Sequence, residues 1–193
     1  ASIVFFASVL AHELAHSFMA RARGMAVSSI TLFIFGGVSN LEEEPERPRV
    51  EFAMAIVGPL TSLVLAGVFW GLAQLPDQQG PLAAMLTYLA LINGILAVFN
   101  LVPGFPLDGG RVLRSILWGT TGSLVKATNI AATVGRFFGW ALIAFGFFQL
   151  FSGNFLGDIW LAFIGWFLSS AADASRREIT LREQLSGISV RDV

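Results

Sequence analysis

The stretch SVLAHELAHSFMA, residues 8–20, places three polar side chains inside a segment that otherwise resembles the interior of a membrane helix. His12, Glu13 and His16 lie within little more than one helical turn, and the chain has no other histidine. Ionisable groups inside a membrane-spanning segment are energetically costly and mark functional sites. The stretch therefore predicts a membrane helix that carries a site, and the rest of the sequence must supply the other parts of that site.

The composition indicates an integral membrane protein. Hydrophobic residues make up 55% of the chain and charged residues only 13%, whereas charged residues are about a quarter of a soluble domain. The formal net charge of -1 lacks the basic excess of nucleic-acid-binding proteins, so no nucleic-acid partner is expected. The absence of cysteine excludes disulfides and thiolate metal sites.

Five apolar runs are long enough, at about 20 residues, to span a bilayer; they cover residues 1–20, 51–73, 82–103, 128–150 and 155–172. The segment SSITLFIFGGVSN after the first run is β-branched and aromatic and ends in a glycine pair. This pattern predicts a short strand and a turn. The predicted fold class is an all-α integral membrane helical bundle with a short β insertion after the first span.

Basic residues predict the orientation of these spans. Eleven of the 12 Lys and Arg residues fall in 21–50, 104–127 and the segment after 172, while the breaks LPDQQG and FSGN contain none. The basic side of a membrane protein is cytoplasmic. We therefore expect a membrane-embedded core at 1–172 and a polar cytosolic linker at 173–193. The remaining basic residue, Arg136, is expected to reach the inner interface or to face the bundle.

The two histidines have the spacing of a metal site. Residues four apart lie on the same face of a helix, so His12 and His16 can bind one Zn²⁺ with Glu13 beside them as general base. A polar cluster that bonds to neighbouring helices or relays protons is the alternative for this trio. A catalytic zinc needs a third protein ligand and an open position, and here that ligand must be a carboxylate.

Topology selects Asp108 as the third ligand. Asp158 opens the last apolar run at its outer end, and the acidic residues of 42–46 lie in a charged loop. Asp108 closes the third run at its inner end, at the depth of the histidines, within the Pro- and Gly-rich segment NLVPGFPLDGG. Irregular backbone at membrane depth occurs where protein or a cavity covers it. A helix N-cap is the alternative role for Asp108.

Four segments, HELAH, the GGV turn after ITLFIF, VGPLTS and FNLVPGFPLDGG, together resemble the site-2 protease family of intramembrane zinc metalloproteases. The resemblance implies that His12, His16 and Asp108 bind one zinc per chain and that Glu13 activates water. It implies a role for Asn100 at the scissile carbonyl, although Asn93 offers the same chemistry. It also implies a sixth span upstream of the first apolar run. The terminal ISVRDV resembles the start of a CBS domain pair, which makes adenine nucleotides a candidate ligand of a further region.

The leading hypothesis is a metalloendopeptidase of a cell inner membrane, with its active site towards the cytoplasm, in the lipid bilayer with transmembrane proteins as substrates. An ion or proton transporter is a second hypothesis, because His, Glu and Asp also line ion pathways. Transporters usually contain two related halves, and no such repeat is visible in the sequence. For Gly58-Pro59, a kink or a close helix approach is a sufficient explanation. A non-catalytic membrane scaffold is the third hypothesis.

Overall fold

The computed structural model describes residues 1–25, 27–33, 36–41, 45–75, 80–149 and 155–185. The chain divides into two compact units, Ala1–Val102 and Pro103–Val193. Three stretches with sequence predictions lie outside the described residues. They are Glu42 to Glu44 of the charged loop, most of both breaks without basic residues, and the CBS-like ISVRDV.

The first unit contains three long helices and one hairpin. Its helices are α1 (Ser2–Ala22), α2 (Pro48–Ala73) and α3 (Pro81–Asn100). Strands β1 (Val27–Phe33) and β2 (Gly36–Leu41) pair antiparallel between α1 and α2, in the segment where the sequence predicted a short β insertion. Both α2 and α3 begin at a proline, whose missing N–H and fixed φ suit the first helical position.

Helix α2 packs against both α1 and α3. The buried positions of these helices are small or polar residues more often than large apolar ones, while Leu60, Trp70 and Leu91 are exposed. In lipid, the hydrophobic effect does not drive helices together, so close packing of small residues and interhelical hydrogen bonds hold them. The polar side chains of α1 therefore face protein.

The second unit contains α4 (Asp108–Thr121), α5 (Leu124–Gln149) and α6 (Phe155–Leu185). Helix α5 packs on α4 and α6. The hydrophobic core of this unit consists of Phe105, Ala131, Ala132 and Ala172, with Leu113 packed against them. Helix α4 ends where Gly122 adopts a left-handed conformation, φ 70°, and donates its N–H to the carbonyl of Trp118. Glycine is the usual residue at such a helix end.

Four helices, α1, α2, α3 and α5, are long and apolar enough to cross a membrane. They correspond to the first four predicted spans. The fifth predicted span, 155–172, lies within α6. Among the described residues, α6 is not one of the four helices that are long and apolar enough to cross a membrane. The number of five spans stays a prediction. Helix α6 continues without a break past the expected domain boundary at 172.

The segment after the third span differs from the sequence prediction in one respect. Helix α3 ends at Asn100, and irregular backbone follows at 101–107, as expected from its prolines and glycines. Asp108, however, opens a further helix instead of closing the third span. The Gly109-Gly110 pair suggested broken backbone, but the amphipathic run RVLRSILW that follows stabilises a helix from its first turn.

Candidate metal centre

Helix α1 brings both histidines and the glutamate into one buried cluster. His12 and His16 have ring centroids 4.9 Å apart, and Glu13 lies beside them with 8% of its surface exposed. Ser8, one turn before His12, continues the same buried face. Three ionisable side chains are therefore shielded from solvent along an apolar helix.

Each imidazole is held through its Nδ1 atom by helix α2. The Nδ1 of His16 lies 2.7 Å from the carbonyl oxygen of Met54, and the Nδ1 of His12 lies 2.9 Å from the Oγ of Ser62. A carbonyl oxygen only accepts hydrogen bonds, so the Nδ1 of His16 carries the proton in this contact. The neutral ring then presents Nε2 as the nitrogen that can bind a metal.

Gly58 shows where the two Nε2 atoms point. A Cβ built at this position would lie 2.6 Å from Nε2 of His12 and closer still to Nε2 of His16. Both Nε2 atoms therefore converge on one patch of α2 where no side chain projects. Two imidazole nitrogens aimed at one point, with their other nitrogens hydrogen-bonded, match the arrangement that proteins use to hold zinc.

The carboxylate that the sequence predicts for this donor set is that of Asp108. His12, His16 and Asp108 are the one group of three potential metal ligands found among the described residues, and one ligand atom of each lies within 4.8 Å of the others. Two nitrogens and one carboxylate oxygen form a donor set typical of catalytic zinc. The residues present therefore fit Zn²⁺. Asp158, although buried, is not part of the group.

The backbone around Asp108 is fixed by close packing in the second unit. The loop residue Gly104 lies directly against Gly135 of α5, where a Cβ on either glycine would overlap backbone atoms. The N–H of Phe105 donates to the carbonyl of Ala131, and the guanidinium of Arg114 lies 5.2 Å from the centre of the Phe105 ring. The loop that leads into Asp108 is therefore held against α5.

Asp108 is the first residue of α4 and not its N-cap. Leu107 occupies the cap position, and its side chain makes no capping hydrogen bond. The alternative role that the sequence allowed, an aspartate cap, is therefore not observed. A carboxylate in the first turn is still stabilised by the partial positive charge of the helix N-terminus.

The two asparagines that the sequence left as alternatives have different surroundings. Asn93 is fully buried, and its Nδ2 donates to the Leu89 carbonyl and, at 3.3 Å, to the Oγ of Ser8 on α1. Asn100 is half-buried at the end of α3, where its Nδ2 donates to the carbonyl of Leu96 in the same helix. Asn93 therefore connects two helices, whereas Asn100 sits at the start of the loop that leads to Asp108.

Sequence reasoning did not identify Met54 and Ser62, which orient the histidines. The close approach offered as an explanation of Gly58-Pro59 is observed. The group that approaches Gly58 is the histidine pair, however, so this glycine belongs to the candidate site, which the sequence analysis did not predict. A usable signal was present: positions 54, 58 and 62 recur every four residues and share one face of α2. The sequence could not show which helix that face contacts.

The chain is similar to known proteins over nearly its whole length. The model of peptidase family M50 matches residues 1–79 and 75–142. A Synechocystis protein, sll0528, is 45% identical across 99% of this chain and 50% of its own length. "Zinc metalloprotease MJ0392" of Methanocaldococcus jannaschii is 32% identical across 99% of this chain and 53% of its own. The chain thus spans about half the length of these curated relatives.

A solved structure has the same fold. The "Site-2 Protease from Methanocaldococcus jannaschii" superposes with a TM-score of 0.70 at 34% sequence identity, covering 90% of this chain and 76% of that one.

Proposed function

Because this chain belongs to peptidase family M50, the family of the site-2 proteases, we propose that it hydrolyses peptide bonds within or near transmembrane segments of membrane proteins. The observation that carries the proposal is the convergence of His12 and His16 on Gly58, with Glu13 buried beside them. The apolar spans make the chain a multi-pass membrane protein. A hydrolytic centre in such a chain meets substrates that are themselves in the membrane.

The metal of the family is Zn²⁺, and its ligands in this chain are proposed to be His12, His16 and Asp108, which hold one ion. When bound, zinc lowers the pKa of a water molecule to about 7 and polarises the scissile carbonyl. Three protein ligands leave a coordination position open, as catalysis requires.

Glu13 acts as the general base in this proposal. Its carboxylate takes a proton from the attacking water and then delivers that proton to the leaving amine. Glu13 lies on α1 directly after His12, so a single helix orients both the base and a ligand. Asn100 is the candidate to bind the scissile carbonyl, because it lies eight residues before Asp108, at the start of the same loop.

The substrate imposes a further requirement. The carbonyls of a transmembrane helix are hydrogen-bonded within that helix, so the scissile stretch must unwind before water attacks it. We place the centre on the cytoplasmic side of a cell inner membrane, because HELAH is followed after five residues by Arg21, the first residue of a basic segment. The lipid-embedded core is proposed to extend over 1–172.

The decisive experiment compares the wild-type chain with Glu13→Gln and Asp108→Ala in liposomes. The probe substrate is a tagged single-span protein with a Gly-Pro pair in the middle of its span. We expect about one zinc per wild-type chain and cleavage that Glu13→Gln lowers by about 10²–10⁴-fold without loss of zinc. Asp108→Ala should lose both zinc and cleavage.

Cleavage by the Glu13→Gln variant at the wild-type rate would contradict the role of Glu13 as general base. Ion flux across the liposome membrane, without cleavage of the probe, would support the transporter hypothesis and contradict proteolysis.

A further inference from the structure

Helix α2 contacts the histidine pair through a stripe of three residues. Met54, Gly58 and Ser62 are each four residues apart. Met54 provides a backbone carbonyl as acceptor, Ser62 provides a hydroxyl, and Gly58 has no side chain and so leaves room for the rings. On the facing helix, His12 and His16 are spaced by four as well. The two sets of residues have the same spacing on the facing helices, so each histidine ring is paired with one polar group of α2.

The two rings are held by groups of different character. The Met54 carbonyl accepts only, and it belongs to the backbone, so the tautomer of His16 does not depend on a side chain of α2. The Ser62 hydroxyl is able to donate or accept. It is 0% exposed, and His12 is 3% exposed. Water is thus kept away from this contact, and the loss of a buried hydrogen bond is costly.

From this geometry we infer that Ser62 is a positioning residue, whose hydroxyl accepts the Nδ1–H of His12 and keeps Nε2 of that ring unprotonated for the metal. Nε2 already points at the patch beside Gly58, where it meets Nε2 of His16. If Nε2 carried the proton, the ring would have no lone pair at the point of convergence. This inference rests on the proposed function only in that it takes the bound metal to be zinc.

Ser62 therefore acts on metal binding before any chemistry occurs. Partners of this kind, which hold the second nitrogen of a ligating imidazole, change metal affinity by about 10–100-fold when they are removed. A positioning residue of this kind contacts neither the substrate nor the attacking water. Substitution of Ser62 is expected to affect zinc affinity through the ring orientation and tautomer of His12.

The chain allows a direct reading of the tautomers, because His12 and His16 are its only histidines. Labelling with ¹⁵N-histidine gives two imidazole spin systems, and their nitrogen shifts report which nitrogen carries the proton. The measurement is made on metal-free protein in detergent micelles. In the wild type, we expect both rings to carry the proton on Nδ1.

Three variants test the inference, and zinc affinity is measured alongside by competition with a chelator. In Ser62→Ala, His12 should shift towards the Nε2–H tautomer or a mixture while His16 stays unchanged, and zinc affinity should fall by about 10–100-fold. Ser62→Thr keeps a hydroxyl and should have the wild-type His12 tautomer and the wild-type zinc affinity. Thr61→Ala is the matched control, because the Thr61 hydroxyl bonds within α2 to the carbonyl of Val57.

Two results would overturn the inference. One is a Ser62→Ala variant with an unchanged His12 tautomer and a zinc affinity within about twofold of the wild type. The other is a Ser62→Thr variant that behaves like Ser62→Ala, since that would assign the effect to packing. Both readings are independent of peptide cleavage. A chain that binds zinc through these tautomers and cleaves no substrate would refute the proposed function and leave this inference standing.

Discussion

At the scale of single residues, the proposed metal centre depends as much on a missing side chain as on its proposed ligands. Gly58 provides the surface on which Nε2 of His12 and Nε2 of His16 converge. The same helix contains Gly67, which has nothing within 4 Å of an added Cβ. These two glycines of one membrane helix therefore have different surroundings, and alanine substitution should affect zinc binding only at Gly58.

Gly58→Ala is expected to abolish stoichiometric zinc binding, because the new methyl group would occupy the space of the two Nε2 atoms and push the rings apart. Metal analysis of the purified variant should give less than about a tenth of the wild-type zinc, in line with the loss of two positioned ligands at once. Gly67→Ala is the control and should bind zinc as the wild type does. Normal zinc content in Gly58→Ala would show that the rings lie elsewhere when the metal is bound.

At the scale of helices, the second unit is built on the contact between α5 and α6. A Cβ on Gly139 would lie 2.6 Å from the carbonyl oxygen of Gly165, and a Cβ on Gly165 would lie 2.5 Å from the carbonyl oxygen of Gly139. Nearby, Nη1 of Arg136 lies 3.7 Å from Oδ1 of Asp173. The single basic residue that the sequence placed within a span therefore has an acidic partner on α6.

Gly139→Ala is expected to lower the free energy of unfolding by about 1–3 kcal/mol, the range for overpacking a tight contact. Backbone atoms of α6 leave no room for the methyl group, so the helices must separate. Thermal or denaturant unfolding in detergent micelles measures the change.

Gly94→Ala in α3 is the matched control for Gly139→Ala. An added Cβ at Gly94 meets nothing within 4 Å, and alanine is the better helix former. The stability of Gly94→Ala should equal or slightly exceed that of the wild type. Equal losses in both variants would show that glycine in a membrane helix matters here for reasons other than the α5–α6 contact.

At the scale of the whole molecule, the distribution of charge predicts how the chain crosses the membrane. Basic residues follow α1 directly, whereas the break after α2 contains none. Ala22 at the end of α1 and Gln74 at the end of α2 are both exposed. The positive-inside rule puts these two positions on opposite sides of the bilayer.

Cysteine labelling tests this topology without background, because the chain has no cysteine of its own. In right-side-out vesicles, a membrane-impermeant maleimide should label Gln74→Cys, and it should label Ala22→Cys only after the vesicles are opened. Zinc binding should be unchanged in both variants. Labelling of the two positions from the same side would contradict the cytoplasmic placement of the centre.

The sequence by itself determined the four long apolar helices α1, α2, α3 and α5 and the candidate ligands. Apolar runs of about 20 residues determine spans because every backbone polar group in lipid must be satisfied within its own segment. The spacing of His12 and His16 places two rings on one helix face by local geometry alone. The absence of cysteine and of a third histidine left a carboxylate as the third ligand, and the order of the apolar runs selected Asp108 among the carboxylates.

The tertiary structure decided what surrounds those ligands. Met54 and Ser62 lie 38 and 50 residues from the rings that they hold, and no periodicity within one helix reveals a partner at such separations. The same holds for Asn93, whose bond to Ser8 distinguishes it from Asn100. The packing of Gly104, in the loop before α4, against Gly135 of α5 is a further long-range contact of this kind. Local patterns fix which residues share a face, whereas long-range packing determines what that face contacts.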